Sequence, residues 1–277
     1  APQCSPSRAG LLTGRYQQRF GHEFNLSPQT ERFGLPLGET TLAERMRAAG
    51  YATAVIGKWH LGTEPRYHPS ARGFDEFFGF LKGGRSYAPA SPDPLYRGTT
   101  PIREPEYLTD AFGREAASFI TAHQHEPFFL YLAFNAVHTP LSANEARLAR
   151  FATIPDQERR AYVAAMLAMD DAIGRVLATL RATKQLDDTL VVFLNDNGGP
   201  TMKGVTVNGA INRPLRGSKR TTLEGGVRVP FFMQWPARLP PGQVVEDPVI
   251  ALDLVPTILA AVGVAAKPAW QLDGVDL

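Results

Sequence analysis

Three short apolar runs limit what this chain can fold into: residues 51–56, 128–134 and 190–194. None alternates polar with apolar residues. Runs of that kind form strands covered on both faces, the habit of parallel sheets. Helical patterns lie between and around them, over 41–49 (stopped by Gly50), 107–123, 156–183 and 252–262, and a further strand is expected over 227–234. In 156–183 the stripe is Tyr162, Met166, Met169, Ile173, Val176 and Leu180, expected as core. Residues 63–105 are rich in Pro and Gly and read as surface loops, of a kind that in α/β enzymes often shapes a substrate pocket. Strands alternating with helices predict an α/β fold, a mainly parallel sheet with helices on both faces. Right-handed crossovers put the strands' carboxyl ends on one edge, where open α/β sheets bind ligands. Each apolar run here leads into a polar cluster: Lys58 and His60, then His138, then Asp196 and Asn197.

The first dozen residues hold the only cysteine, in Cys4-Ser5-Pro6-Ser7-Arg8-Ala9-Gly10-Leu11-Leu12-Thr13-Gly14-Arg15. Pro6 and the serines suit a helix entry, which places Cys4 just ahead of a helix N-terminus. Free amides and the helix dipole favour an anion there, and Arg8 adds a fixed charge and a fork of donors. From the residues alone, two readings stand: an anion site containing a reactive sulfur, or a small buried cysteine. The Cys–Arg spacing is C-x3-R, not the C-x5-R of Cys-dependent phosphatases.

This stretch resembles the type I sulfatase signature C-x-P-S-R-x3-L-T-G-R. Gly57-Lys58-Trp59-His60-Leu61-Gly62 resembles that family's second signature. The resemblance runs from Pro2 to Leu277 and implies an alkaline-phosphatase-like core and hydrolysis of a sulfuric ester, carried by a sulfated carbohydrate or an aryl sulfate. It implies that a separate formylglycine-generating maturation enzyme oxidises Cys4 to formylglycine, whose hydrate is the nucleophile. Arg8 would steady that group. Lys58, Lys219 and His138 would hold the sulfate oxygens, and His138 would also protonate the leaving alcohol. His60 would be the base that expels sulfate. Asp196 and Asn197 match two of the family's Ca²⁺ ligands, with Mg²⁺ the alternative; alone, Asp196-Asn197-Gly198-Gly199 also reads as an Asx-turn. The family's other two metal carboxylates lie on a strand that would precede Ala1. The chain is therefore expected to be a catalytic domain, 1–277, incomplete at both ends, without the first strand and the C-terminal subdomain. A phosphomonoester or phosphonate hydrolase, and an inactive anion-binding fragment, are the alternatives. The family's compartments are periplasmic, secreted or lysosomal; the sequence itself does not choose.

A net charge of +2 gives no argument for nucleic acid or an acidic membrane. No apolar run approaches the roughly 20 residues that span a bilayer. Other candidates carry less. Asp170 and Asp171 are helix neighbours whose side chains diverge. His123 and His125 sit near a helix end, His68 lies in a loop with no evident partner, and His22 follows the signature closely enough to line a pocket. Gly83 and Gly84 occupy the place of a family pocket residue, with Ser86 nearby.

Overall fold

Alternation along one strand divides the molecule into two cores. The computed structural model describes residues 1–27, 29–30 and 32–277. Strand β1 (Ala52–Lys58) lies between β2 (Glu76–Phe80) and β5 (Phe128–Ala133), parallel to both. Ala54 and Ile56, with Phe78, Phe80, Leu130 and Leu132, face helix α3 (Leu108–Ala122) through Leu108, Phe112 and Ala116. Val55 and Phe77, with Phe129 and Tyr131 on the same side, form the opposite core with Ala9 and Leu12 of α1 (Cys4–Thr13) and Ala43 of α2 (Leu42–Ala48). Both sheet faces are thus covered, as period-2 side chains on continuously apolar strands require. A short antiparallel pair, β3 (Leu95–Arg97) and β4 (Thr100–Ile102), completes a five-stranded sheet of order β4-β3-β2-β1-β5.

The helices begin and end where local chemistry dictates. Thr41 caps α2: its hydroxyl accepts from the Glu44 amide while the Glu44 carboxylate accepts from the Thr41 amide. Gly50 follows with φ +87°. Asp156 caps α5 (Gln157–Ala182) through the Arg159 amide. Helix α4 (Glu145–Ala149) precedes α5, and α7 (Leu254–Ala261) packs Val255 and Leu259 against Leu42 and Met46.

Several expectations are corrected. Residues 63–105 contain β2, a central strand hidden in the sequence by Gly79. That glycine is required: a Cβ there would stand 1.9 Å from the Gly57 carbonyl oxygen. The buried face of α5 is Ala164, Ala165, Ala168, Ala172 and Leu180, whereas Met166 is 39% exposed. Small residues win because α3 and α5 approach closely; a Cβ on Gly113 would lie 2.8 Å from that of Ala172. The run at 190–194 forms β6 (Val191–Leu194), but outside the main sheet. It pairs antiparallel with β9 (Phe231–Gln234), Leu194 opposite Phe231. That strand is shorter than expected, because the helical turn α6 (Glu224–Val227) and Pro230 precede it. Between them in the chain is a small hairpin, β7 (Thr201–Met202) with β8 (Thr206–Val207).

Candidate active site

The signature divides into a chemical half and a scaffolding half. Gln3 is the extended residue before α1, and Cys4 is the first helical residue rather than the one ahead of it. The Ser5 amide donates to Asn25 Oδ1 at 2.9 Å. One turn later the motif turns to packing: Leu12 is fully buried, Thr13 Oγ1 donates to the Ala9 carbonyl, and Gly14 closes the helix at φ +71° against Val255. Arg15 grips both oxygens of Glu39 at 2.6 and 2.7 Å.

The second signature alternates in the same way. Trp59 and Leu61 enter the core, and Trp59 Nε1 donates to the Tyr67 carbonyl. Lys58 and His60 turn to the site, buried to 1% and 5% exposure. His60 has φ +60°, an uncommon backbone for a residue with a Cβ. Its conformation is held at both ends: its amide donates to the Leu81 carbonyl, and its carbonyl accepts from Ser5 Oγ at 2.6 Å. Gly83 lies flat on the imidazole; a Cβ there would be 2.7 Å from Nε2.

Arg8 draws three segments together. Its Nε and Nη2 donate to Asp196 Oδ2 at 3.1 and 2.9 Å. Its Nη1 donates to the Lys58 carbonyl at 2.9 Å and to the Tyr131 hydroxyl at 3.2 Å. So the carboxyl end of β6 does reach the site, although its strand belongs to another ladder. Lys219 Nζ lies 3.1 Å from Cys4 Sγ. His138 projects from the turn after β5; Tyr87 Oη contacts both its carbonyl and that of Asn135. His138 Nδ1 is 2.7 Å from the Thr139 carbonyl, which only accepts, so Nδ1 carries a hydrogen and Nε2 is the nitrogen left for chemistry.

The charges around Cys4 are unequal: three cations, Arg8, Lys58 and Lys219, against the carboxylate of Asp196. Burial and Asp196 push the Cys4 thiol up, but Lys58 and hydrogen bonding to His138 and His60 outweigh them and hold it well below the ordinary thiol range. Burial pushes Asp196 up too, and Arg8, Lys58 and Lys219 overcome it, leaving the carboxyl firmly ionised. Lys58 and His60 are both lowered, chiefly by desolvation. The pocket is built for an anion, with three cations converging on one buried sulfur.

Asn197 Nδ2 donates to the Gly198 carbonyl, while Asn197 Oδ1 is buried without a hydrogen-bond partner. An orphaned amide oxygen beside an ionised carboxylate suits a hard cation. Among the described residues no group of three or more His, Cys, Asp or Glu side chains converges as a metal set.

The remaining histidines fall outside this cluster. His68 has a partner after all, accepting from the Ser70 amide and meeting Phe77 edge-on. His123 pairs with Glu76 and Glu126, and His125 is exposed. His22 is buried, its Nε2 2.7 Å from Ser5 Oγ, so it braces the signature from behind. Burial and the neighbouring His60 push it down to about 4. Sequence reasoning misses Tyr131, Tyr87 and the Ser5–His22 pair as site-forming contacts. Ser5 stands at the variable position of the motif, but its partners are 17 and 55 residues away.

Fold and site define an α/β protein with a buried anion cradle at the carboxyl ends of its strands. A family model described as Sulfatase matches residues 1–264. N-acetylgalactosamine-6-sulfatase of Sus scrofa is 36% identical over 302 aligned residues, covering all of this chain and 56% of that protein. Arylsulfatase G of Rattus norvegicus is 35% identical, covering all of this chain and 59% of that one. The structure of Ps i-CgsB in complex with k-i-k-neocarrahexaose superposes with a TM-score of 0.95 at 38% identity, over 99% of this chain and 64% of that chain. The chain belongs to the sulfatase family and has its alkaline-phosphatase-like fold. It spans somewhat more than half the length of these curated relatives. Among the described residues no helix is long and apolar enough to cross a membrane.

Proposed function

We propose that this chain forms the catalytic part of a sulfuric ester hydrolase acting on a sulfated carbohydrate or aryl sulfate. The observation that carries the reading is the contact of Lys219 Nζ with Cys4 Sγ at 3.1 Å, inside a cradle whose cations come from three separate segments. The named activities of the relatives and the carbohydrate complex of Ps i-CgsB, with k-i-k-neocarrahexaose, support the substrate class.

Cys4 is the residue that a maturation enzyme would oxidise to formylglycine; hydrated, that group supplies a gem-diol nucleophile. The rest of the work falls to the chain's own side chains. Lys58 and Lys219 hold the sulfate oxygens as point charges in a water-poor site, where such charges act strongly. Arg8 fixes Asp196 and the end of β1 so that the donors do not reorganise. His138, with Nδ1 committed to Thr139, presents Nε2–H in its charged form and gives that proton to the departing alcohol oxygen. His60, held neutral by burial, accepts the proton whose removal releases sulfate. Asp196 and Asn197 would hold Ca²⁺, or Mg²⁺, which would supply positive charge beside the nucleophile.

The test is expression with a formylglycine-generating enzyme, followed by paired assays on an aryl sulfate and the matching aryl phosphate. Mass spectrometry of the peptide bearing residue 4 reports conversion of CH₂SH to CHO. Sulfate release with aldehyde present supports the reading. Phosphate release at the higher rate would move the chain to the phosphoester alternative, and aldehyde with neither activity would leave an anion-binding domain.

A further inference from the structure

The chain's positive charge is concentrated in one segment. Residues 197–223 contain Lys203, Arg213, Arg216, Lys219 and Arg220 and no carboxylate. With +2 on the whole chain, the other 250 residues together carry −3. Lys219 turns inward to Cys4, whereas Lys203, Arg213, Arg216 and Arg220 are all exposed and form no ion pair among the described residues.

The segment is tied across the mouth of the cradle. The Arg220 amide donates to the Pro2 carbonyl at 2.8 Å, two residues before Cys4. Asn208 Nδ2 donates to the Val137 carbonyl at 2.7 Å, one residue before His138. Asn212 staples the base of the loop, donating to the Gly199 and Gly217 carbonyls and accepting from the Gly199 amide. Lys219 and Arg220 are consecutive, one buried and one exposed, so the surface charge begins where the buried cluster ends. Lys203 sits at the turn of the β7–β8 hairpin, whose Thr201 amide donates to Ser218 Oγ at 2.8 Å, and hairpin and Ser218–Arg220 together line a small crevice.

Four unpaired cations repel one another and raise the local concentration of anions. Guanidinium forks match the oxygens of a tetrahedral anion in pairs. The segment contains no Phe, Tyr or Trp, so it offers no face for stacking bases, which argues for charged substituents on a glycan over a nucleic acid. We propose that residues 203–220 form a basic rim that binds sulfate groups on sugars flanking the one whose ester enters the Cys4 cradle, making a multiply sulfated glycan the preferred substrate. The inference rests on the sulfatase reading of the cradle.

The experiment replaces Lys203, Arg213, Arg216 and Arg220 by Gln, singly and together, in the matured protein. Substrates are a disulfated oligosaccharide, its monosulfated counterpart and a small aryl sulfate; calorimetry measures binding of the disulfated oligosaccharide directly. Each single change should raise KM for the disulfated substrate about two- to fivefold, the range of exposed ion pairs, and the quadruple variant about tenfold or more. The dependence of KM on salt should flatten in step, and aryl sulfate turnover should stay within about twofold of the parent. Unchanged KM and binding for the disulfated substrate overturn the proposal, as does an equal loss on all three substrates. Tight binding of single-stranded DNA that the quadruple variant abolishes would assign the rim to another polyanion. If no sulfate ester is turned over but disulfated oligosaccharide binds through these four residues, the rim stands and the catalytic reading fails. Turnover of sulfate esters with unaltered oligosaccharide binding in the quadruple variant removes the rim and leaves the catalytic reading in place.

Discussion

The two walls of the anion cradle are built differently. Cys4, Arg8, Lys58 and His60 come from α1 and from β1, a strand paired on both sides, and none is more than 6% exposed. His138, Asp196, Asn197 and Lys219 come from the turn after the edge strand β5, the end of the two-stranded β6–β9 ladder, and a long loop; only Lys219 of these is buried. The first wall is fixed by the core around it. The second is held by scattered side-chain and loop backbone bonds, such as Arg8 to Asp196 and the Arg220 amide to Pro2. On the proposed function, a buried wall at Cys4 and a more exposed wall opposite it would suit one reaction on differently shaped esters.

If that division is functional, the two histidines should fail at different stages, with the largest losses of any variant here. His60→Ala, on the rigid wall, is expected to release alcohol once and then stall, and His138→Ala to slow the first release. Each should cost roughly 10²–10⁴-fold in turnover. Poor alkoxide leaving groups should suffer most in His138→Ala, and an activated aryl sulfate should partly rescue it. Rapid-quench assays decide the matter: no burst in His60→Ala, or equal loss on both substrates in His138→Ala, removes the distinction.

Arg8 bridges the walls through Asp196. Arg8→Gln strands a carboxylate beside the end of β1 and is expected to cost about 3–5 kcal/mol in urea unfolding. A loss below about 1 kcal/mol would show that the walls are held together by other contacts.

His22 tests the rigid wall from behind. Its folded value of about 4 lies below the ordinary 6.5, so between these pH values the unfolded chain binds the proton more readily. Stability from this group is complete above about 6.5, falls as pH drops, and levels off below about 4, a total of about 3 kcal/mol. Unfolding midpoints measured across that window should fall less steeply in His22→Gln; parallel curves would count against the assignment.

The smallest effect belongs to Ser5. Ser5→Ala removes the hydroxyl between His22 and the His60 carbonyl and should cost about 1 kcal/mol. Turnover should fall with it, through the placement of His60, while KM holds. Restoration by Ser5→Thr would separate the hydrogen bond from simple packing.

The same contrast governs what is legible in the sequence. The rigid wall is local: Cys4 and Arg8 share one helix, and Lys58 and His60 one strand end, so motif and periodicity suffice. Helices α2, α3 and α5 are equally readable, because caps such as Thr41 and Asp156 act within four residues. The partner of β6 is not, since an apolar run is the same in a parallel sheet and in a two-stranded ladder. Strand β2 is obscured by Gly79, whose necessity appears only beside Gly57. The Met stripe of α5 misleads because the nearness of α3, not hydrophobicity, selects the buried residues. Tyr131 and His22 act through single polar atoms on distant segments, and no periodic pattern marks them.

The contact between Lys219 and Cys4 joins positions 215 residues apart, and this sets an order of assembly. Helix α1 can meet Val55 of β1 and Ala43 of α2 over short loops, but the lysine, like Leu252 and Val255 on the helix's other side, arrives only after a loop of more than two hundred residues closes. Loops of that length close late, because ordering them costs entropy before any contact repays it. During folding the residue-4 thiol therefore passes through a stage in which its helix has formed and its cover has not. Pulse labelling with a thiol reagent during refolding should find Cys4 reactive at early times and protected only as the segment through Lys219 docks. On that order the residue that defines the site would be open to reagents or enzymes early in folding and closed in the finished fold, where it is 1% exposed.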